Sequence, residues 1–183
     1  MPLKVTVPDI ELFDERVNEF VNLNGGSFYI EHSLISISKW ESIWHKPFFS
    51  RNKNDTKTIE EILSYIEAMT ITPNVDKRLY KYIPANELKR IQEYIDDPMT
   101  ATWFKEKKET GPRQVVTSEL IYYWMVALQI PFECQKWHIN RLLTLVRICN
   151  EKNQPDKKMS KSAIYKQNAA LNAARRKALN TKG

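Results

Sequence analysis

Residues 118–153 read SELIYYWMVALQIPFECQKWHINRLLTLVRICNEKN, and the spacing of their apolar side chains decides for helices. From Leu120 to Val126 every residue is apolar or aromatic: Leu120, Ile121, Tyr122, Tyr123, Trp124, Met125 and Val126. Such a run predicts a helix covered on several sides, begun by Thr117 or Ser118 and closed by Pro131. From about Glu133 to Glu151, Trp137, Leu142, Leu145, Val146 and Cys149 share one side, with Lys136, Asn140, Arg141 and Arg147 elsewhere. Two helices joined by so short a turn predict an α-hairpin as the core of the C-terminal half.

Toward the N-terminus, KEKKETGPRQ at 105–114 is the clearest boundary by composition. Before it, Leu88, Ile91, Tyr94 and Ile95 predict a helix over 85–97 that Pro98 ends. Ile59, Ile62, Leu63, Ile66 and Met69 predict the buried face of another, capped by Thr56 or Thr58. TITPNVDKRLYKYIP between them is a connector with two prolines, and 50–57 is a polar loop. Ser38 and Glu41 have the spacing of a capping box, which starts a short helix at Lys39 and stops it before Pro47. Trp40 and Trp44 share one of its faces, as core knobs or as a surface that docks a partner.

The first third reads as β structure. Leu3–Val7, Ile10–Phe13 and Phe28–Ile37 are rich in Val, Ile, Phe and Tyr, and Asn24-Gly25-Gly26 offers the positive-φ residues of a turn. A helix over Glu15–Asn22 is an equal reading of DERVNEFVN. The fold class is therefore α+β, predominantly α. A small β-containing N-terminal part (1–50) precedes a helical body (51–153) and a protruding basic C-terminal helical extension (154–183).

That extension holds most of the charge. The chain carries +6, yet residues 157–183 alone carry eight cations and no Asp or Glu, which leaves about −2 for the rest. Ser160 caps an Ala-rich helix whose apolar stripe, Ile164, Leu171, Ala174 and Ala178, is thin. Arg175, Arg176 and Lys177 are positioned to neutralise phosphates or to meet an acidic protein surface. Tyr165 is the segment's sole aromatic, which limits base stacking.

No catalytic pattern emerges. His32, His45 and His138 lack nucleophile, metal or acid–base spacing, and there is no phosphate loop. Cys134 and His138, four apart on one helix, would supply two zinc ligands, which do not make a site. The expectation is a non-enzyme with no metal and no cofactor. Cys134 and Cys149, placed on one helix, lie too far apart to bridge and suit a reducing compartment. The N-terminus lacks a secretory pattern and no apolar run spans a bilayer, so a soluble intracellular chain is expected, with no membrane partner.

SKWESIWHKPF at 38–48, IEEILSYIEAMT at 59–70, DPMTATWF at 97–104, the stretch 119–153 and NAALNAARRKALNTKG at 168–183 together carry a likeness. The chain resembles proteins encoded among the tail genes of tailed bacteriophages, most of all tail assembly chaperones. The resemblance implies a small, non-enzymatic, α-rich protein with a β-containing N-terminal part. Such a protein binds the tape measure protein or tail-tube subunits in the host cytoplasm during assembly. It makes Trp40, Trp44, Tyr122, Tyr123 and Trp124 candidate partner surfaces, and self-association is a further expectation. The basic terminal helix departs from what a chaperone requires and leaves open a structural role in the virion. The alternative is a nucleic-acid-associated protein that grips phosphate through that helix.

Overall fold

The computed structural model describes residues 1–14, 18–50, 56–104, 115–153 and 161–180. Four strands open the chain, β1 (Leu3–Val7), β2 (Ile10–Asp14), β3 (Glu19–Leu23) and β4 (Gly26–Ile30). β1 pairs antiparallel with β4, and β2 with β3. The second ladder continues the register of the first, from Leu3 opposite Ile30 to Asp14 opposite Glu19. The four strands are thus one long ribbon, interrupted where Pro8 and Asp9 face Asn24 and Gly25. Pro8 has no N–H to give the ladder. A Cβ on Gly25 would stand 2.3 Å from the Pro8 carbonyl carbon and the Val7 oxygen, and the Gly25 N–H instead donates to Asp9 Oδ1 at 2.7 Å. Neither Gly25 nor Gly26 has positive φ, so close backbone approach, not the expected turn geometry, is what requires Gly25.

Alternation sends Val5, Val7, Phe28 and Ile30 inward, while Thr6 and Ser27 hydrogen-bond on the outer face. The helical reading of 15–22 is overturned where the residues are described. Asn18 takes φ 50°, Glu19–Leu23 is strand, and Phe20 packs edge-on against Phe13 across the ladder.

The strand expected over Phe28–Ile37 stops at Ile30. Helix α1 (Leu34–Trp44) begins five residues earlier than Lys39, because Ser33 and Ser36 form the capping box in place of Ser38 and Glu41. Ile35 and Ile37 look β-prone in sequence, but burial of Leu34, Ile37 and Trp40 on one helical face prevails. α2 (Ile59–Met69) is capped by Thr58 and buries Tyr65, Ile66 and Met69. Ile59 is 77% exposed and Ile62 is also exposed, so the buried face is rotated from the expected one. The connector after α2 is more than a link. A 3-10 turn over Lys77–Tyr82 places Leu79 and Tyr80 in the core.

α3 (Ala85–Asp96) buries Ile91 and Tyr94 but leaves Leu88 exposed. α4 (Ser118–Ala127) packs against α1, and so does the 3-10 turn Phe132–Lys136 that follows it. α5 (Ile139–Asn153) starts only after that turn, and it buries Ile139, Leu142 and Val146. The helix expected from Glu133 is therefore broken at Trp137 and His138, with Cys134 in the 3-10 turn and Cys149 in α5; both thiols are free. The boundary segment 105–114, residues 51–55 of the polar loop and Ser160 lie outside the described residues.

The chain is α+β, mostly helical, with the small β part at its N-terminus. It divides into a unit from Met1 to Cys149 and a second from Asn150 to Gly183, which contains α6 (Lys161–Leu179).

Candidate functional site

The interior polar groups gather where the ribbon becomes α1. Residues 29–33 are paired on both sides. Ile71 N–H donates to Tyr29 O and Glu31 N–H to Met69 O, each at 2.9 Å, while Ile139 N–H donates to His32 O at 2.8 Å. Ser33 and His138 form an antiparallel bridge. The seam joins the start of α1 to the start of α5 and brings two buried imidazoles together, 2% and 4% exposed, with ring centres 4.9 Å apart.

Each ring has a defined partner. His138 Nε2 lies 3.0 Å from the Tyr94 carbonyl, which can only accept, so the proton sits on Nε2. Nδ1 is then the acceptor for the Asn140 N–H at 3.4 Å, in the manner of an N-cap for α5. Asn140 in turn donates to the carbonyls of Ile95 and Asp97, tying α5 to the end of α3. His32 Nδ1 shares a short hydrogen bond with the Tyr65 hydroxyl, 3.5 Å from Ser36 Oγ. The Tyr94 hydroxyl donates to Glu31 at 2.7 Å.

Burial, and then the neighbouring His138, push His32 down to about 3. Burial also lowers His138, although the Tyr94 carbonyl, Glu31 and Asp97 pull the other way. Burial raises Tyr65 and Tyr94 and keeps both phenols neutral. Two imidazolium charges about 5 Å apart would repel by about 3 kcal/mol at an effective dielectric of about 20, so the two rings resist being cationic together in the fold.

Two carboxylates brace the same unit. Glu41 Oε1 accepts from Phe48 N–H at 2.7 Å and its Oε2 from Ser118 N–H at 2.8 Å. Glu61 accepts from Lys46 at 2.6 Å and from the Thr58 N–H at 2.8 Å, and these two bonds hold its carboxyl below the usual range. Trp40 is 1% exposed and its Nε1–H donates to the Glu61 carbonyl at 2.8 Å; the half-buried Trp44 donates to Ser64 Oγ at 3.0 Å. The tryptophan pair, with ring centres 6.4 Å apart, therefore fastens α1 to α2, and the Trp40 ring faces the interior.

On α4 the aromatic residues diverge. Tyr122 is half-buried and donates to Gln135 Oε1 at 3.0 Å, Trp124 packs partly against the core, and Tyr123 is 66% exposed. Arg175, Arg176 and Lys177 are exposed on α6, in the second unit, and every α6 side chain that is described is exposed. Cys134 and His138 are not on one helix, and no group of three or more His, Cys, Asp or Glu is placed to hold a metal among the described residues. No described helix is long and apolar enough to cross a membrane.

The sequence reading missed the seam because His32 and His138 lie 106 positions apart, outside any regular element. Only the flanking signals, a Ser33 cap and an Asn140 near a helix start, were visible. The chain matches no family model, no curated protein and no solved structure.

Proposed function

We propose that this chain is a non-enzymatic binding protein of tailed-phage tail assembly, a tail assembly chaperone or a tail structural component. The observation that carries the reading is α6. It is a helix of 19 residues without an acidic side chain, and each of its described side chains is exposed. Alanine-rich helices of this length are marginal alone in water and gain stability from a partner. Its cations occupy most of the circumference and leave the stripe of Leu171, Ala174 and Ala178, a pattern suited to a groove with an acidic rim. The partners are tape measure or tail-tube proteins in the host cytoplasm, with retention in the virion for a structural component. Tyr123 and its neighbours on α4 supply a second contact.

The alternative, a nucleic-acid-associated protein, is favoured by the same excess of cations in residues 157–183. Co-expression of the full chain with tail proteins tests both readings. Replacing Arg175, Arg176 and Lys177 together by Glu abolishes capture of the tail protein on the first reading. A chain that stays monomeric and ignores tail proteins overturns it. Duplex binding whose log K falls linearly with log salt, and which the triple replacement removes, puts the alternative first.

A further inference from the structure

We propose that the buried His32–His138 pair is a proton-operated latch, in which protonation of either ring parts the seam between the start of α1 and the start of α5. The proposal is independent of any partner.

The geometry supplies the mechanism. In the neutral tautomer both nitrogens of His138 are used, Nε2–H toward the Tyr94 carbonyl and Nδ1 as acceptor for the Asn140 N–H. A proton on Nδ1 sets two donors against each other and removes the side-chain cap of α5. His32 stands against that ring, so neither imidazole can become cationic without facing the other in a space closed to water. The backbone bond from Ile139 N–H to His32 O and the Ser33–His138 bridge join the same two segments that carry the rings. The seam is therefore the joint that a proton added to either ring strains.

The groups facing the pair come from several elements. Tyr65 of α2 and Tyr94 of α3 stay neutral. Glu31 and Asp97 attract a proton toward His138, and the amino group of Met1 repels it. Phe48 and Ser36 add no charge of their own, and the Lys57 ammonium stands 4.2 Å from the Phe48 ring centre. Burial outweighs the two carboxylates, and both rings are held below the ordinary value of 6.5. The unfolded chain then binds protons that the folded chain refuses. Stability from the pair is complete above about pH 6.5 and is lost as pH falls from there toward about 3. Glu61, Asp76 and Glu119, held below carboxyl values of 4.5 and 3.8, begin to act only at lower pH, so the upper part of the window belongs to the histidines.

Amide hydrogen exchange on the full chain, corrected for intrinsic rate, reads the latch at Ile139. Its protection is expected to fall about tenfold or more between about pH 7 and about pH 5. His138→Asn keeps an N-cap acceptor and cannot titrate, and combined with His32→Asn it should abolish most of that fall. Imidazole carbon shifts in the unsubstituted chain give a second reading that survives a variant that does not fold. Both seam rings must stay neutral in the closed chain over this range even as protection falls, because the proton is taken up in the open state. Protection that is constant over this range, an equal fall in the double variant, or rings already cationic while Ile139 stays protected would each overturn the latch.

Discussion

The carboxylate of Glu41 in α1 closes the first turn of α4, accepting the Ser118 N–H at 2.8 Å across 77 positions of sequence. Its other oxygen takes the Phe48 N–H at 2.7 Å, so one side chain satisfies two backbone donors from two segments. Ser118 is fully buried, and no water can replace the acceptor without opening the packing. Glu41→Ala is expected to cost about 3 kcal/mol in urea unfolding, and Glu41→Gln, which keeps one oxygen, about half as much. Equal stability of the three chains would show that α4 is held by packing alone.

Gly25 and Gly26 are adjacent but differ sharply in the room each leaves for an added methyl group. At Gly25 a Cβ meets the backbone of Val7 and Pro8 at 2.3 Å, and backbone cannot yield as a side chain can. Gly25→Ala should lower stability by about 3 kcal/mol. At Gly26 the nearest atom is Leu79 Cδ1 at 3.9 Å, an ordinary contact, and Gly26→Ala should change stability by less than about 1 kcal/mol. Thermal unfolding of the two variants separates these outcomes.

Much of this fold is legible in the sequence because local rules set it. Thr58 with Glu61, the apolar positions Ile91 and Tyr94, and the run from Leu120 to Met125 give α2, α3 and α4 directly. The errors fall where tertiary contacts override local preference. Ser36 stands in for the acidic member of the capping box and frees Glu41 for its long-range role, so α1 starts early. His138 and Trp137 interrupt a helical pattern because their backbone is needed at the seam. No periodicity reports such pairing, since it joins residues 32–33 to 138–139, and polar side chains in the interior look like any surface residue in a sequence. Arg175, Arg176 and Lys177 are the converse case: their exposure is readable from composition, but nothing in composition names what they meet.

Trp40 does two jobs that its replacements separate. The ring fills the space between α1 and α2, against Phe48 at 5.4 Å, and its N–H satisfies the Glu61 carbonyl. Trp40→Phe keeps most of the apolar area and loses the bond, for an expected cost of about 1–2 kcal/mol. Trp40→Ala also leaves a cavity and should cost about 3–5 kcal/mol. Trp44 is half-buried, and Trp44→Phe should cost less than Trp40→Phe in the same denaturation series.

Acid also tests the Glu61 carboxylate, which begins to act at lower pH than the histidines. Lys46 and the Thr58 N–H hold it below the ordinary 4.5, so the unfolded chain is the one that takes up the proton. Its contribution is complete above about pH 4.5 and is lost as pH falls further. In Glu61→Gln the chain should be less stable at neutral pH, and the loss of stability below about pH 4.5 should be shallower than in the unsubstituted chain. A parallel decline in both would assign acid sensitivity to other carboxylates.

On α4, Ile121 and Tyr123 divide stability from binding. Ile121 is wholly buried and two positions later Tyr123 is exposed, because 100° per residue carries the chain from the core face to the water face within one turn. Ile121→Ala removes core volume and should cost about 2–5 kcal/mol. Tyr123→Ala removes a ring that the fold does not bury, and its midpoint should stay within about 0.5 kcal/mol of the unsubstituted chain. Aromatic side chains exposed on a stable helix are characteristic anchors of protein interfaces. On the proposed reading, capture of a co-expressed tail protein should therefore fall in Tyr123→Ala while the fold is intact. Undiminished capture in a chain lacking that ring would move the contact off α4 and onto α6, where the charge replacements of Arg175, Arg176 and Lys177 would have to account for all of it.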